Sequence, residues 1–187
     1  MNTTVTRIQS SDNLVWIDLE MTGLDQEHHA IIQAALIITD KGLNVLEEFV
    51  CDIWQPPEVL AKMSPFVRDM HEKTGLTARV QQSRTDLADA EKKLIAIVAG
   101  WCTHPAILCG NSVWNDRKFI DRHMPGLSRY LHYRLLDVSA LKIVAGTWYG
   151  ETALFKKPKD GQHDALVDIR NSIAELKHYQ NAILRPI

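Results

Sequence analysis

The sequence predicts an α/β layered domain. Two patterns carry the prediction. Three apolar runs divided by short turns open the chain, as an antiparallel meander does. Helical patterns then alternate with further short apolar runs, as parallel strands with crossovers do. In order, residues 14–19 (LVWIDL) read as a buried strand that turns Trp16 into the core, and Thr22-Gly23-Leu24-Asp25 ends it. A second strand covers 31–39, Asp40-Lys41-Gly42 makes a turn, and a third covers 43–50, since Asp and Gly between apolar runs are hairpin chemistry. Ser64 as N-cap and Pro65 at N1 open a helix over 65–73, with Gly75 as its stop. A helix over 86–99 puts Leu87, Ala90, Leu94, Ile97 and Val98 on one face, and Gly100 closes it. A strand over 106–109 and a Gly110-Asn111-Ser112 turn precede a helix over 114–124, halted by Pro125-Gly126. The last strand covers 133–137, and Ser139 caps the next helix. After the polar loop 156–162, a helix over 165–181 turns Leu166, Ile169, Ile173 and Leu176 inward. Polar residues 1–13 read as a disordered N-terminal segment before a single domain, 14–187.

Composition narrows the function. The 187 residues are 45% hydrophobic and 24% charged, which excludes disordered and collagen-like chains. With 21 basic and 23 acidic residues the net charge is −2, without the basic surplus that gripping a long nucleic acid requires. No apolar run approaches the ~18–20 residues of a membrane span, and no signal or transit peptide is visible. A soluble, cytoplasmic protein is expected. Cys51, Cys102 and Cys109 are odd in number and form no CxxC pair, so buried thiols are expected rather than disulfides or zinc ligands.

Three places carry chemistry. Asp18 and Glu20, two apart on the first strand, project from one face at its end, where like charges repel unless a cation lies between them. Asp116 opens a helix just after a strand and turn, where helix-dipole stabilisation alone would also explain an acid. His163 and Asp168 are five apart, about 140° around a helix. His163 therefore belongs to the loop before the last helix, Asp164 to its N-cap and Asp168 to its second turn. Asp121, one turn beyond Asp116, reads as solvated or ion-paired, and His28-His29 as a solvated loop pair.

Taken singly these signals are weak, but their order is the DEDDh pattern of 3′–5′ exonucleases. The flanking words are more specific: VWIDLEMTGLD from Val15 to Asp25, CGNS from Cys109 to Ser112, and HYRLLDVS from His132 to Ser139. Over about residues 13–181 the chain resembles the oligoribonuclease family. The resemblance implies a ribonuclease H-like mixed sheet flanked by helices, a homodimer, and exonucleolytic hydrolysis of short single-stranded RNA, dinucleotides especially, to nucleoside 5′-monophosphates. It implies Asp18, Glu20, Asp116 and Asp168 as metal ligands and His163 as the general base. Oxygen donors without a thiolate select Mg²⁺ or Mn²⁺, and two such ions roughly 4 Å apart hold the attacking water and stabilise the leaving 3′ oxygen. It further implies Leu24 and Phe66 as a wedge on which bases stack, with His71 nearby. Ser112, Arg134 and Ser139 match the grip on a 5′ phosphate, and Tyr133 a residue reaching over from the partner subunit. A substrate of two to about five nucleotides offers few phosphates, which suits the acidic balance.

The chain departs from the family pattern at Phe66 (usually Trp), Gln33 (usually Glu), Ala140 (usually Thr) and Val167 (usually acidic). Three rival readings compete: a DEDDh exonuclease on DNA or longer strands, a degenerate binder of RNA ends, and an aspartyl phosphatase. The HYR and CGNS words oppose the first, the intact set of acids the second, and the poor fit of Asp18-Leu19-Glu20 to a DxD motif the third.

Overall fold

The computed structural model describes residues 7–158 and 164–184. At its centre is a five-stranded sheet in the order β3-β2-β1-β4-β5. β1 (Leu14–Met21), β2 (Ile31–Thr39) and β3 (Val45–Asp52) form the antiparallel meander. β4 (Ala106–Gly110) and β5 (Leu131–Asp137) add parallel strands on the other side of β1. The expected mixed sheet is thus observed, and β1 is central in it.

Alternation along β1 sorts its side chains between two cores. Val15, Ile17 and Leu19 pack with Ala90, Leu94 and Val98 of α4 (Leu87–Trp101) and with Phe119 and Ile120 of α5 (Trp114–His123). Trp16 points the other way, with Ala35 and Ile37 of β2, into a core closed by Ile169, Ile173, Leu176 and Tyr179 of α8 (Ala165–Ala182). Its indole Nε1 donates to Thr39 Oγ1 (3.0 Å), so this buried ring leaves no donor unsatisfied. Asp18 and Glu20 continue the Trp16 side of the strand and therefore face α8.

Several boundaries differ from the sequence reading, each for a local reason. α1 (Pro57–Leu60) is a single turn without a periodic signature. α2 (Pro65–Lys73) runs as expected, with Ser64 Oγ accepting from Val67 N. Gly75, at φ +69°, both stops α2 and starts α3 (Leu76–Gln82), whose buried face is just Leu76 and Val80, too short to read from periodicity. Gly100 does not end α4; it lies inside it. Pro125 opens α6 (Pro125–Tyr130) instead of merely stopping α5, because proline at N1 has no N–H to satisfy. Glu91 Oε1 accepts the next two N–H groups, Gly126 at 2.6 Å and Leu127 at 3.1 Å. The cap of α7 (Val138–Val144) is Asp137, not Ser139: its Oδ1 accepts from Ser139 N at 2.9 Å. A π-helical turn, Ala145–Tyr149, extends α7.

The expectation of a disordered start is corrected for residues 7–13. Ser10 N donates to Trp101 O (2.9 Å), Asn13 Nδ2 donates to the same carbonyl (2.7 Å), and Arg7 pairs with Glu47. Residues 1–6 lie outside the described residues. Cys102 and Cys109 are buried and Cys51 half-buried, all as free thiols. Among the described residues no helix is long and apolar enough to cross a membrane.

The α4 face against β1 supplies the test of this packing. Leu94 is fully buried, so Leu94→Ala should lower unfolding free energy by about 2–5 kcal/mol in urea titration. Lys92→Ala, on the exposed face of the same helix, should stay within about 0.5 kcal/mol.

Candidate active site

The site begins where a strand ladder stops. β1 and β4 pair only from Leu14↔Ile107 to Trp16↔Cys109, so the end of β1 continues past its parallel neighbour. A backbone N–H left there needs an acceptor. Asp116, in the first turn of α5, supplies it: Leu19 N donates to Asp116 Oδ1 at 2.9 Å. This bond ties Asp116 to the strand residue between Asp18 and Glu20. Between Glu20 and Met21 the register with β2 shifts by one, Ile32 of β2 being the extra residue, an irregularity common beside active sites.

α8 brings the fourth acid. Asp164 caps it as expected, with Oδ1 accepting from Val167 N at 3.1 Å. Asp168 then falls on the inward stripe with Ala165, Ile169 and Ser172, which packs on the Trp16 side of β1. Carboxylate oxygens of Asp18, Glu20 and Asp168 lie within 4.8 Å of one another. His163 lies outside the described residues.

Such crowding has an electrostatic consequence. Burial first, then the charges of Asp116, Glu20 and Asp168, hold Asp18 well above the usual carboxylate range. Burial, with Asp168, Asp116 and Asp164 behind it, pushes Glu20 up to about 8. Asp116 is also raised by burial, against the pull of the Leu19 N–H. Acids in this state ionise together when a cation joins them. The donors are all carboxylate oxygens, half or fully buried, and this set fits hard divalent ions.

One cation near these acids was not singled out in the sequence. Lys157 Nζ sits 2.5 Å from Asp168 Oδ1, and its charge opposes the upward shift of Asp18. The basic run before His163 (Lys156-Lys157-Pro158-Lys159) was the available signal, but a polar loop explained it equally well.

Of the residues matched to substrate contacts, Leu24 and Phe66 are 67% and 76% exposed, so neither belongs to the core. With Leu19, Met21, Val67 and Met70 they line an apolar cavity of about 200 Å³ that has Glu20 in its wall. His71 departs from the expected role: it is fully buried on α2, its Nε2 donating to Met21 O (3.0 Å) and its Nδ1 lying 3.9 Å from Glu20 Oε2. It therefore stands behind Glu20, not on a surface a base could touch. Ser112 and Ser139 meet: Ser112 N donates to Ser139 Oγ (2.8 Å) and to Asp137 Oδ1 (2.9 Å), which hold Ser112 at φ +51°. Tyr133 is 74% exposed on β5, with the Arg134 guanidinium 5.2 Å from its ring. Among the described residues no hydrogen bond joins either side chain to the serine pair. Asp121 is ion-paired, accepting from Arg117 Nε at 2.7 Å.

Comparison with known proteins gives the family and the fold. The RNase_T family model, described as Exonuclease, matches residues 15–176. Oligoribonuclease of Francisella tularensis subsp. tularensis (strain WY96-3418) is 46% identical over 179 residues, 95% of this chain and 99% of that protein. Oligoribonuclease of Ectopseudomonas mendocina (strain ymp) is 48% identical over 180 residues, with the same coverage. Among solved structures, E. coli exonuclease I in complex with a 5cy-dT13 oligonucleotide superposes with a TM-score of 0.73 at 15% identity, over 93% of this chain but 42% of that one. A product-bound exonuclease I gives 0.72 at 14%, covering 92% and 44%. The chain spans less than half of those proteins, and the likeness is one of fold.

The raised Glu20 sets a pH dependence. A carboxyl raised from 4.5 to about 8 on folding binds more protons folded than unfolded between those values, so stability falls as pH rises through that window. Melting of chelator-treated protein should show this decline, and Glu20→Gln should flatten it. A slope that the substitution leaves intact would rule out Glu20 as its source and leave it to Asp18 and Asp116, which burial also raises.

Proposed function

The chain belongs to the oligoribonuclease family of exonucleases, and from that membership we propose that it is a 3′–5′ exoribonuclease of very short RNA, dinucleotides above all, yielding nucleoside 5′-monophosphates. The observation that carries the reading is the meeting of Asp18, Glu20 and Asp168 within 4.8 Å, with Asp116 tied to the strand between the first two. These four residues would hold two Mg²⁺ or Mn²⁺ ions. When bound, such ions orient and acidify a water and offset charge on the leaving 3′ oxygen. His163 takes the proton of that water, a task suited to an imidazole with an unperturbed pKa of ~6.5. His71, packed behind Glu20, positions that carboxylate.

The remaining residues select the substrate. Bases stack on Leu24 and Phe66, a contact that tolerates any sequence. Ser112 and Ser139, with Arg134, grip the 5′ phosphate, where the planar guanidinium fork matches phosphate oxygens. A cap on the 5′ phosphate leaves a longer chain no path, so length is selected by the far end. Tyr133 reaches the site of the partner in a homodimer. Exposed Ile143, Trp148 and Tyr149, clustered on α7 and its π-helical extension, are apolar surface that such a dimer would cover. The exonuclease domain spans 14–187, with residues 7–13 packed against it, and the protein acts in the cytoplasm.

The deciding experiment is a product time-course on 5′-labelled RNA oligomers of graded length beside DNA dinucleotides. Fast disappearance of the RNA dinucleotide supports the reading. Its accumulation, or equal rates on a 20-mer, would assign the enzyme to longer strands. On the same substrates Asp18→Ala should abolish turnover together with metal uptake. His163→Ala should lower the rate about 10²–10⁴-fold while metal uptake persists. Arg134→Ala should slow dinucleotide cleavage more than cleavage of longer oligomers; equal losses would remove the cap.

A further inference from the structure

Lys157 has no part in the roles assigned above, yet its ammonium lies against the candidate metal ligands. Nζ is 2.5 Å from Asp168 Oδ1, with Lys157 43% and Asp168 20% exposed at their side chains. Asp168 is itself within 4.8 Å of the carboxylate oxygens of Asp18 and Glu20, and the lysine charge reaches past Asp168 to Asp18. The pairing is not a helix-surface pair of the usual kind, since Lys157 lies eleven residues before Asp168, outside α8. Buried acids without a countercharge repel one another and would push α8 from the end of β1. A flexible four-carbon stem bearing a compact charge can fill that need and still swing away.

We infer that Lys157 is a place-holding counterion: its ammonium holds the metal-free acid cluster together beside Asp168 and is displaced when divalent ions enter. The inference rests on the reading of Asp18, Glu20, Asp116 and Asp168 as ion ligands. It makes Lys157 a positioning residue. The acids stay preorganised without metal, and in exchange the ions bind less tightly than four bare carboxylates would allow, because each loading event must break the lysine contact.

The test uses the full chain without RNA. Mn²⁺ binding is measured by titration calorimetry on the wild type, Lys157→Gln and Lys157→Arg, and each protein is melted in chelator and in saturating Mn²⁺. Lys157→Gln should bind Mn²⁺ about two- to fivefold more tightly, the scale of a half-exposed ion pair removed from the competing state. It should melt below wild type in chelator and level with it in Mn²⁺, while Lys157→Arg behaves as wild type. Unchanged or weaker Mn²⁺ affinity in Lys157→Gln, or equal melting in chelator, overturns the place-holding role alone. Failure of the wild type to take up Mn²⁺ would overturn the four-acid site and this role with it.

Discussion

Carboxylates packed at the end of a buried strand set the terms for the rest of this molecule. Asp18 and Glu20 leave β1 on the side that also carries Trp16, and two elements distant in the chain add Asp116 and Asp168. Burial raises the pKa values of Asp18, Glu20 and Asp116 above the usual carboxylate range, and the neighbouring acids raise those of Asp18 and Glu20 further. Such a cluster is stable only with protons, a lysine or divalent ions inside it. Chemistry and stability are therefore coupled at one place: what neutralises the acids also holds α8 to the sheet.

The scaffold meets this demand through simple geometry. Period-two alternation splits β1 between a core with α4 and α5 and a core with α8, so one strand faces both layers. The short β1–β4 ladder leaves a backbone donor at Leu19, and the acceptor that satisfies it is one of the acids. A hydrogen-bonding requirement of the backbone thus fixes a carboxylate beside the strand end. The register shift after Glu20 and the apolar cavity of Leu24 and Phe66 continue the same strand end, so a stacked base would lie against the acids.

The acidic balance of the chain is consistent with this economy. Affinity for a few nucleotides needs one stacking wedge, one phosphate grip and the ions, not a basic surface. Ser112, proposed above for that grip, is fixed in place: its φ of +51° is held by bonds from its N–H to Asp137 and Ser139 on the neighbouring β5–α7 junction.

Much of this was legible in residues alone. The meander, the mixed sheet, the Ser64 and Asp164 caps and the four acids follow from alternation, capping chemistry and motif spacing, all of which are local properties of the chain. The motif could name Asp168 because HxxxxD spacing is local too. The chain alone could not say that α6 starts at Pro125, since Glu91, 35 residues away, supplies its acceptor. Nor could it say that His71 is buried behind Glu20, or that Phe66 on the same helix is exposed. Lys157 shows the limit most clearly: in sequence it is one lysine of a polar loop, and its pairing with Asp168 exists only because α8 docks on β1. Residue types and spacings determined which groups could do chemistry. The docking of distant elements decided which of them share one electrostatic environment, because charge interactions act through space and not along the chain.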